Sequence, residues 1–201
     1  PSTPYDPSSM GKRETDHIPP LKDGDIRVIH LGGVEEIGRN MSLVEYKDTI
    51  VVVDCGVQFT ETNTPGIDFI LPNTRYLEEH KHKIKGVLVT HGHLDHIGAF
   101  PYIMPRIGNP PIFARLFTSL MIRKRQDKIP NLPQLDLTVV EKETSVALGD
   151  LTIEFFAIKK ESPSELGVII KTPYGDIVHH GTIKLNNNNS TPTKDEEERY
   201  K

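Results

Sequence analysis

The chain has 201 residues, a formal charge of −4 and 36% apolar residues, with no Trp and a single Cys. That length suits one large domain with a loose arm at each end, and the composition supports a packed core, though not across every residue. No apolar run approaches the roughly 20 residues of a membrane helix, residues 1–20 lack the order of a secretory signal, and the lone Cys55 excludes an internal disulfide, so a cytoplasmic protein with no membrane partner is expected. The mildly acidic balance does not advertise a nucleic-acid partner.

Residues 1–24 are rich in Pro, Ser, Asp and Lys without periodicity and read as a flexible arm. Ile26–Leu31, Met41–Tyr46 and Thr49–Asp54 are predicted strands, with Tyr46–Thr49 as a turn. Gly32, Gly33 and Gly38 follow the first strand, but the alternation of Met41–Tyr46 is that of a strand, so a dinucleotide-binding loop is rejected. Asn73–His80 reads as a short helix capped by Asn73, and Gly86–Thr90 as a short apolar strand. Leu94–Met104 begins as a helix and breaks near Pro101 and Pro105.

Phe113–Lys128 reads as a stronger helix, with Leu116, Phe117, Leu120 and Met121 along one face. Arg115, Arg123, Lys124, Arg125 and Lys128 crowd its other faces and its C-terminal end, where they suit the helix dipole. With no net positive charge on the chain, this cluster reads as a solvated face rather than a phosphate-binding one. Leu135–Glu141, Leu151–Ile158, Gly167–Thr172 and Asp176–His179 follow as strands, the last pair joined by a turn at Pro173–Gly175. Asn186–Asn189 reads as a loop, and Thr193 as a cap before a charged helix start. Successive hairpins with helices outside predict an α/β (α+β) fold in which helices cover a sheet. Cys55 reads as a small buried side chain, and Tyr174 carries no assignable role.

The chemistry is concentrated in Thr90-His-Gly-His-Leu-Asp-His96. Four of these residues, His91, His93, Asp95 and His96, are metal-ligand types, and they follow directly on a buried-looking strand, whose end fixes the backbone. Gly92 lets the chain bend between His91 and His93. Imidazole nitrogens suit zinc or a similar ion, and a carboxylate adds charge. The spacing suits two adjacent metals, one held by His91 and His93, the other by Asp95 and His96. Two such ions can activate a water and clamp a phosphodiester or acyl oxygen. Solvated surface histidines are the competing reading, and this density of donors argues against it.

His-x-His-x-Asp-His after an apolar strand resembles the signature of the metallo-β-lactamase superfamily. The surrounding text is similar to the ribonuclease J family of β-CASP nucleases: His30–Met41, Val51–Gly56, Pro65–Asp68, Tyr76–Glu79 and Lys85–Ala99 all carry the likeness, which covers roughly residues 24–185. The resemblance implies a metallo-β-lactamase αββα four-layer sandwich of which the N-terminal part is present. The domain would span 25–185, with 186–201 a polar, charged tail leading toward a β-CASP domain. It implies a zinc-dependent ribonuclease, acting exo- or endonucleolytically on RNA, with up to two ions and a homo-oligomeric partner or an active paralogue. It also implies that Asp95 works with the metals in catalysis, and that Asp54 buttresses the metal loop from behind; read without the family, Asp54 is as well explained as a turn aspartate.

The family pattern breaks at two positions. Lys160 stands where a third histidine ligand is expected, and Thr182 where a bridging aspartate is expected. A lysine brings a cation toward a dication, and a threonine hydroxyl cannot balance charge between two metals. Glu161, His179 and His180 are the nearby residues that could substitute; for Glu161 and His180 an ordinary surface role is favoured, and for His179 a supporting role behind the ligands. Two functions stay open at this point: a metal-dependent ribonuclease, or a catalytically impaired RNA-binding or assembly subunit of the same fold. Hydrolysis of a small acyl substrate uses the same loop but not the surrounding text. Half a sandwich is also expected to expose an apolar sheet face.

Overall fold

The computed structural model describes residues 18–60, 66–158 and 165–181. β1 (Ile26–Gly32), β2 (Met41–Tyr46) and β3 (Thr49–Val53) form an antiparallel run. β4 (Gln58–Phe59) and β5 (Phe69–Ile70) make a small separate hairpin. Then come α1 (Arg75–Glu79), β6 (Ile84–Leu88), α2 (Leu94–Ile97), α3 (Phe100–Ile103), β7 (Ile112–Ala114), α4 (Leu116–Gln126) and β8 (Leu137–Val139). β9 (Ser145–Leu148), β10 (Leu151–Ala157), β11 (Leu166–Thr172) and β12 (Gly175–His179) complete the described chain.

The strands form two main sheets, ordered β1-β2-β3-β6-β7-β8 and β12-β11-β10-β9. In the first, β3, β6, β7 and β8 run parallel, and the second is antiparallel throughout. Strand periodicity explains how these layers stack. β2 and β3 are buried over their whole length because both faces are covered. Leu43, Ile50 and Val52 turn to a core shared with Leu77, Ile97, Phe100, Ile103 and Ile122 of the four helices. Val44, Val51 and Val53 turn the other way, to a core shared with Leu151, Ile153 and Phe155 of β10 and Val168 and Ile170 of β11. The described residues thus supply three layers: helices, first sheet, second sheet.

This arrangement corrects the expected exposed sheet face. The inter-sheet core is closed because the second sheet is itself present. On that sheet's outer side Lys171 pairs with Asp176 at 2.7 Å and Glu154 at 3.5 Å, Thr152 is exposed, and Phe156 is buried over Gly167, its cross-strand partner. A run of exposed apolar side chains lies on α4 instead. Leu116, Phe117 and Leu120 are more than half exposed, because the helix presents Thr118, Ser119, Ile122 and Gln126 to the body. Phe113 belongs to β7 rather than to the helix. Arg115 pairs with Glu141 at 2.6 Å, and Arg125 Nε donates to the Gly98 carbonyl, which ties α4 to the end of α2.

Other boundaries also move. The break in 94–104 falls at Gly98-Ala99 rather than at the prolines, since Pro101 sits in the first turn of α3, where its missing N–H costs nothing. Thr74 is the N-cap of α1, while Asn73 Oδ1 accepts the Arg75 N–H at 3.2 Å. α1 is anchored through Glu45, buried on β2, which takes Arg27 and Lys83 at 3.2 Å each and the Tyr76 hydroxyl. Burial, with Glu45 beside it, pushes the Tyr76 phenol up to about 12. Residues 18–24, read as the end of an arm, include Pro19, whose carbonyl accepts Arg27 Nη2. No helix among the described residues is long and apolar enough to cross a membrane.

The α4 face gives a direct test. Phe117→Ser with Leu120→Ser should markedly reduce binding of a hydrophobic dye by the isolated chain, whereas Val178→Ser on the second sheet should change it little. The reverse ranking would return the sticky surface to the sheet.

Candidate metal centre

β3 and β6 are adjacent parallel strands, and the segments leaving their C-terminal ends carry the candidate site, as is usual at such sheet edges. The chain leaves β3 into Asp54 and leaves β6 toward His91. Asp54 adopts φ +62°, a left-handed conformation that aspartate tolerates better than most residues. Its carboxylate is buried and fully engaged. Oδ1 accepts the Thr90 N–H at 2.8 Å, Oδ2 accepts the Thr90 hydroxyl at 2.8 Å, and Oδ2 meets His96 Nδ1 at 2.7 Å. Burial alone would raise this carboxyl, but the charge and hydrogen bond of His96, with help from Thr90, hold it below the ordinary carboxylate range. Burial likewise works against the His96 imidazolium, and Asp54 and Asp95 outweigh it, raising His96 to about 9.

The segment after Asp54 laces α2 into place. Cys55 N–H donates to the His96 carbonyl at 2.7 Å, Val57 N–H to Leu94 at 3.1 Å, and Ala99 N–H to Cys55 at 2.9 Å. Gly56 is required by this closeness, since a Cβ there would stand 1.5 Å from the Asp95 carbonyl oxygen. Cys55 is buried within this lacing, and burial pushes its thiol up, which matches the expected inert side chain.

The predicted ligands are brought together around His91. Its ring centroid lies 4.6 Å from that of His93 and 4.0 Å from that of His96. Asp95 Oδ2 stands 3.3 Å from His96 Nε2. His91 is buried, its Nδ1 within 3.0 Å of the Thr90 hydroxyl, and its Nε2 has no hydrogen-bond partner among the described residues. Burial, with the His96 charge beside it, pushes His91 down to about 4, so the ring is neutral and its lone pair is open to a cation. A buried polar nitrogen left alone is costly, and a metal ion would satisfy it. The imidazole–carboxylate donor set fits zinc in chemistry. As the side chains stand, no three such donors among the described residues enclose one ion-sized gap. His96 Nε2 faces Asp95 and the Asn40 amide, so the His96 ring must part from both for an ion to be held between it and Asp95.

His179 lies close enough to feel the charges of Asp54 and His96, and burial lowers its pKa. Its Nδ1 accepts the Gly181 N–H at 3.1 Å, and Gly181 packs on Thr90. His180 turns instead to the edge of the Phe156 ring, 5.4 Å between centroids. Lys160, Glu161 and Thr182 lie outside the described residues. Two residues of the site were missed by sequence reasoning. Thr90 links Asp54 to His91, and its hydroxyl beside an apolar strand was the available signal. Asn40 bonds Asp95 across 55 residues of sequence, and no local pattern announces it.

These features define a class. The chain belongs to the metallo-β-lactamase superfamily, whose family profile matches residues 34–190. Among solved structures it shares the fold of YhfI from Bacillus subtilis, a metallo-beta-lactamase fold protein, at TM-score 0.51 and 16% identity over 76% of this chain and 61% of that one. The Rm3 metallo-beta-lactamase gives TM-score 0.50 and 17% identity over 75% and 56% of the two chains. Within the superfamily, the curated relatives it matches are named ribonuclease J. That of Corynebacterium glutamicum is 40% identical over 160 residues, which are 80% of this chain and 22% of the relative. That of Mycolicibacterium smegmatis is 38% identical over 83% of this chain and 30% of the relative. The chain therefore spans less than a third of the length of these relatives.

Asp54→Ala should lower the free energy of unfolding by about 3–5 kcal/mol, because it takes from buried His96 the nearer and fully buried of its two carboxylates. Asp54→Asn should cost less, since an amide oxygen still accepts the Thr90 N–H. Urea denaturation at neutral pH measures both, and an alanine variant within about 1 kcal/mol of the parent would remove Asp54 as the anchor. Gly56→Ala should displace α2 or prevent folding, read as a lost cooperative melt by circular dichroism.

Proposed function

We propose that this chain is the metal-binding part of a ribonuclease J-type hydrolase that cleaves RNA phosphodiesters. The observation that carries the reading is the neutral, buried Nε2 of His91, without a hydrogen-bond partner among the described residues and set among two further imidazoles and a carboxylate at the end of a parallel strand. The ribonuclease J relatives supply the substrate class.

His91 and His93 would hold one ion and Asp95 and His96 another, with zinc the metal the donor set suits best. Such ions, when bound, supply Lewis-acid polarisation of a phosphoryl oxygen and an acidified water. The chain's own residues do the rest. Asp54 holds Nδ1 of His96, so that Nε2 points to the site, and Thr90 does the same for His91. Asp95 would orient a water or take its proton.

Lys160 and Thr182 favour a second reading, in which the domain keeps the fold and binds RNA, or an active paralogue, without hydrolysis. Each replaces a group that the family pattern supplies as a ligand, and losing a ligand should weaken metal binding by more than the roughly tenfold to hundredfold cost of losing a group that only hydrogen-bonds a ligand. The domain division into arm, 25–185 and tail, a cytoplasmic setting, and homo- or hetero-oligomerisation complete the proposal.

Zinc analysis and cleavage of an end-labelled RNA separate the readings. The nuclease reading expects retained zinc and RNA cleavage, with both increased by Lys160→His combined with Thr182→Asp. Neither zinc nor cleavage in the natural protein would defeat it. If only the doubly substituted protein cleaves RNA, the non-catalytic reading stands; cleavage by the natural protein at a rate the substitutions leave unchanged would end that second reading.

A further inference from the structure

The loop between β1 and β2 reaches the metal loop through Asn40, by its backbone and its side chain. Asn40 Nδ2 lies 3.1 Å from the Asp95 carbonyl oxygen, 3.2 Å from Asp95 Oδ2 and 3.2 Å from His96 Nε2. Its backbone is tied to the same elements. Asn40 N–H donates to the Asp95 carbonyl at 3.0 Å, and the Asn40 carbonyl accepts the Gly56 N–H at 3.0 Å. One residue thus joins three segments: the β1–β2 loop, the strand-end turn at 54–57, and α2.

The loop is shaped to present this amide. The Glu36 carboxylate accepts the Gly33 N–H at 2.9 Å, Arg39 Nε at 2.6 Å and Arg39 Nη2 at 2.7 Å, which closes the loop on itself. Gly33 takes φ +86°, and a Cβ there would stand 2.4 Å from Asn40 Oδ1. The amide oxygen is therefore seated against the Gly33 backbone, which turns the NH2 group toward Asp95. Asp95 is half-buried at the start of α2, and its Oδ2 is shared between His96 Nε2 and the Asn40 amide; donors behind a ligand in this way set its orientation.

We infer that Asn40 is a positioning residue for Asp95, orienting its carboxylate toward a bound divalent cation and coupling the β1–β2 loop to metal affinity. This rests on the proposed metal-binding role of Asp95. Neither of the two backbone hydrogen bonds of Asn40 needs its side chain, so the amide can be removed while the segments stay tied.

The test is a double-mutant cycle on zinc affinity, measured by competition with a chromophoric chelator on the whole chain. Asn40→Ala should weaken zinc binding about tenfold to a hundredfold, and the visible absorption of the cobalt(II) form should change with it. In an Asp95→Ala background the same substitution should alter affinity by less than about twofold, because the carboxylate it orients is gone. Equal losses in both backgrounds would mean a purely structural role and overturn the inference, as would unchanged affinity in Asn40→Ala while the parent binds zinc; the metal reading survives either result. A parent that binds neither zinc nor cobalt defeats both. The metal-free melt of each variant reports folding, and if Asn40→Ala does not fold, Asn40→Ser, which keeps a short donor, takes its place with a smaller expected loss.

Discussion

The buried carboxylate of Asp54 is the constraint on which the site depends. It lies at the end of a strand buried on both faces, in a left-handed backbone conformation, and has no access to water. A charge in that position is tolerable only with several charge-assisted partners. Thr90 and His96 supply them, and each is thereby fixed. Thr90 in turn sets His91, and His96 sets the start of α2. One carboxylate therefore determines the orientation of two candidate ligands and the approach of the helix that carries two of them.

The packing explains why the knot stays closed. β3 and β6 are clamped between the helix core and the inter-sheet core, so the two strand ends that deliver Asp54 and His91 cannot separate without opening both. The lacing of 55–57 to 94–99 then fixes α2 at backbone contact distance, where Gly56 leaves no room for a side chain. Such over-determination is what lets a functional loop keep strained or costly features.

Most strands were legible because their alternation is set by burial on one or two faces, as in Met41–Tyr46 and Leu151–Ala157. β7 was hidden because Ile112–Ala114 is only three residues long and only Arg115 separates it from α4. The apolar stripe of α4 had the right period but the wrong face, since small polar residues, Thr118 and Ser119, pack inward there and hydropathy cannot tell which side faces the body. The His91–His96 motif was legible because ligand chemistry is local. Asn40 was not, because its meaning arises only when Gly33, Glu36 and Arg39 fold the loop and carry the amide to a residue far along the chain.

The positioning residues and the candidate ligands are different residues in this fold, and that separation bears on the departures expected at 160 and 182. Asp54, Thr90 and the 55–57 lacing satisfy one another through hydrogen bonds within the chain, and none of those bonds needs an ion. A substitution at a ligand position outside this knot changes what the site can hold without removing what holds the site. The loop geometry can therefore persist in a sequence whose ligand set is incomplete. Conversely, loss of Asp54 would collapse the geometry even with every ligand present. The preserved knot is consequently evidence for lineage and architecture, while the hydrolytic question belongs to the donors themselves, foremost the His91 nitrogen that has no hydrogen-bond partner among the described residues.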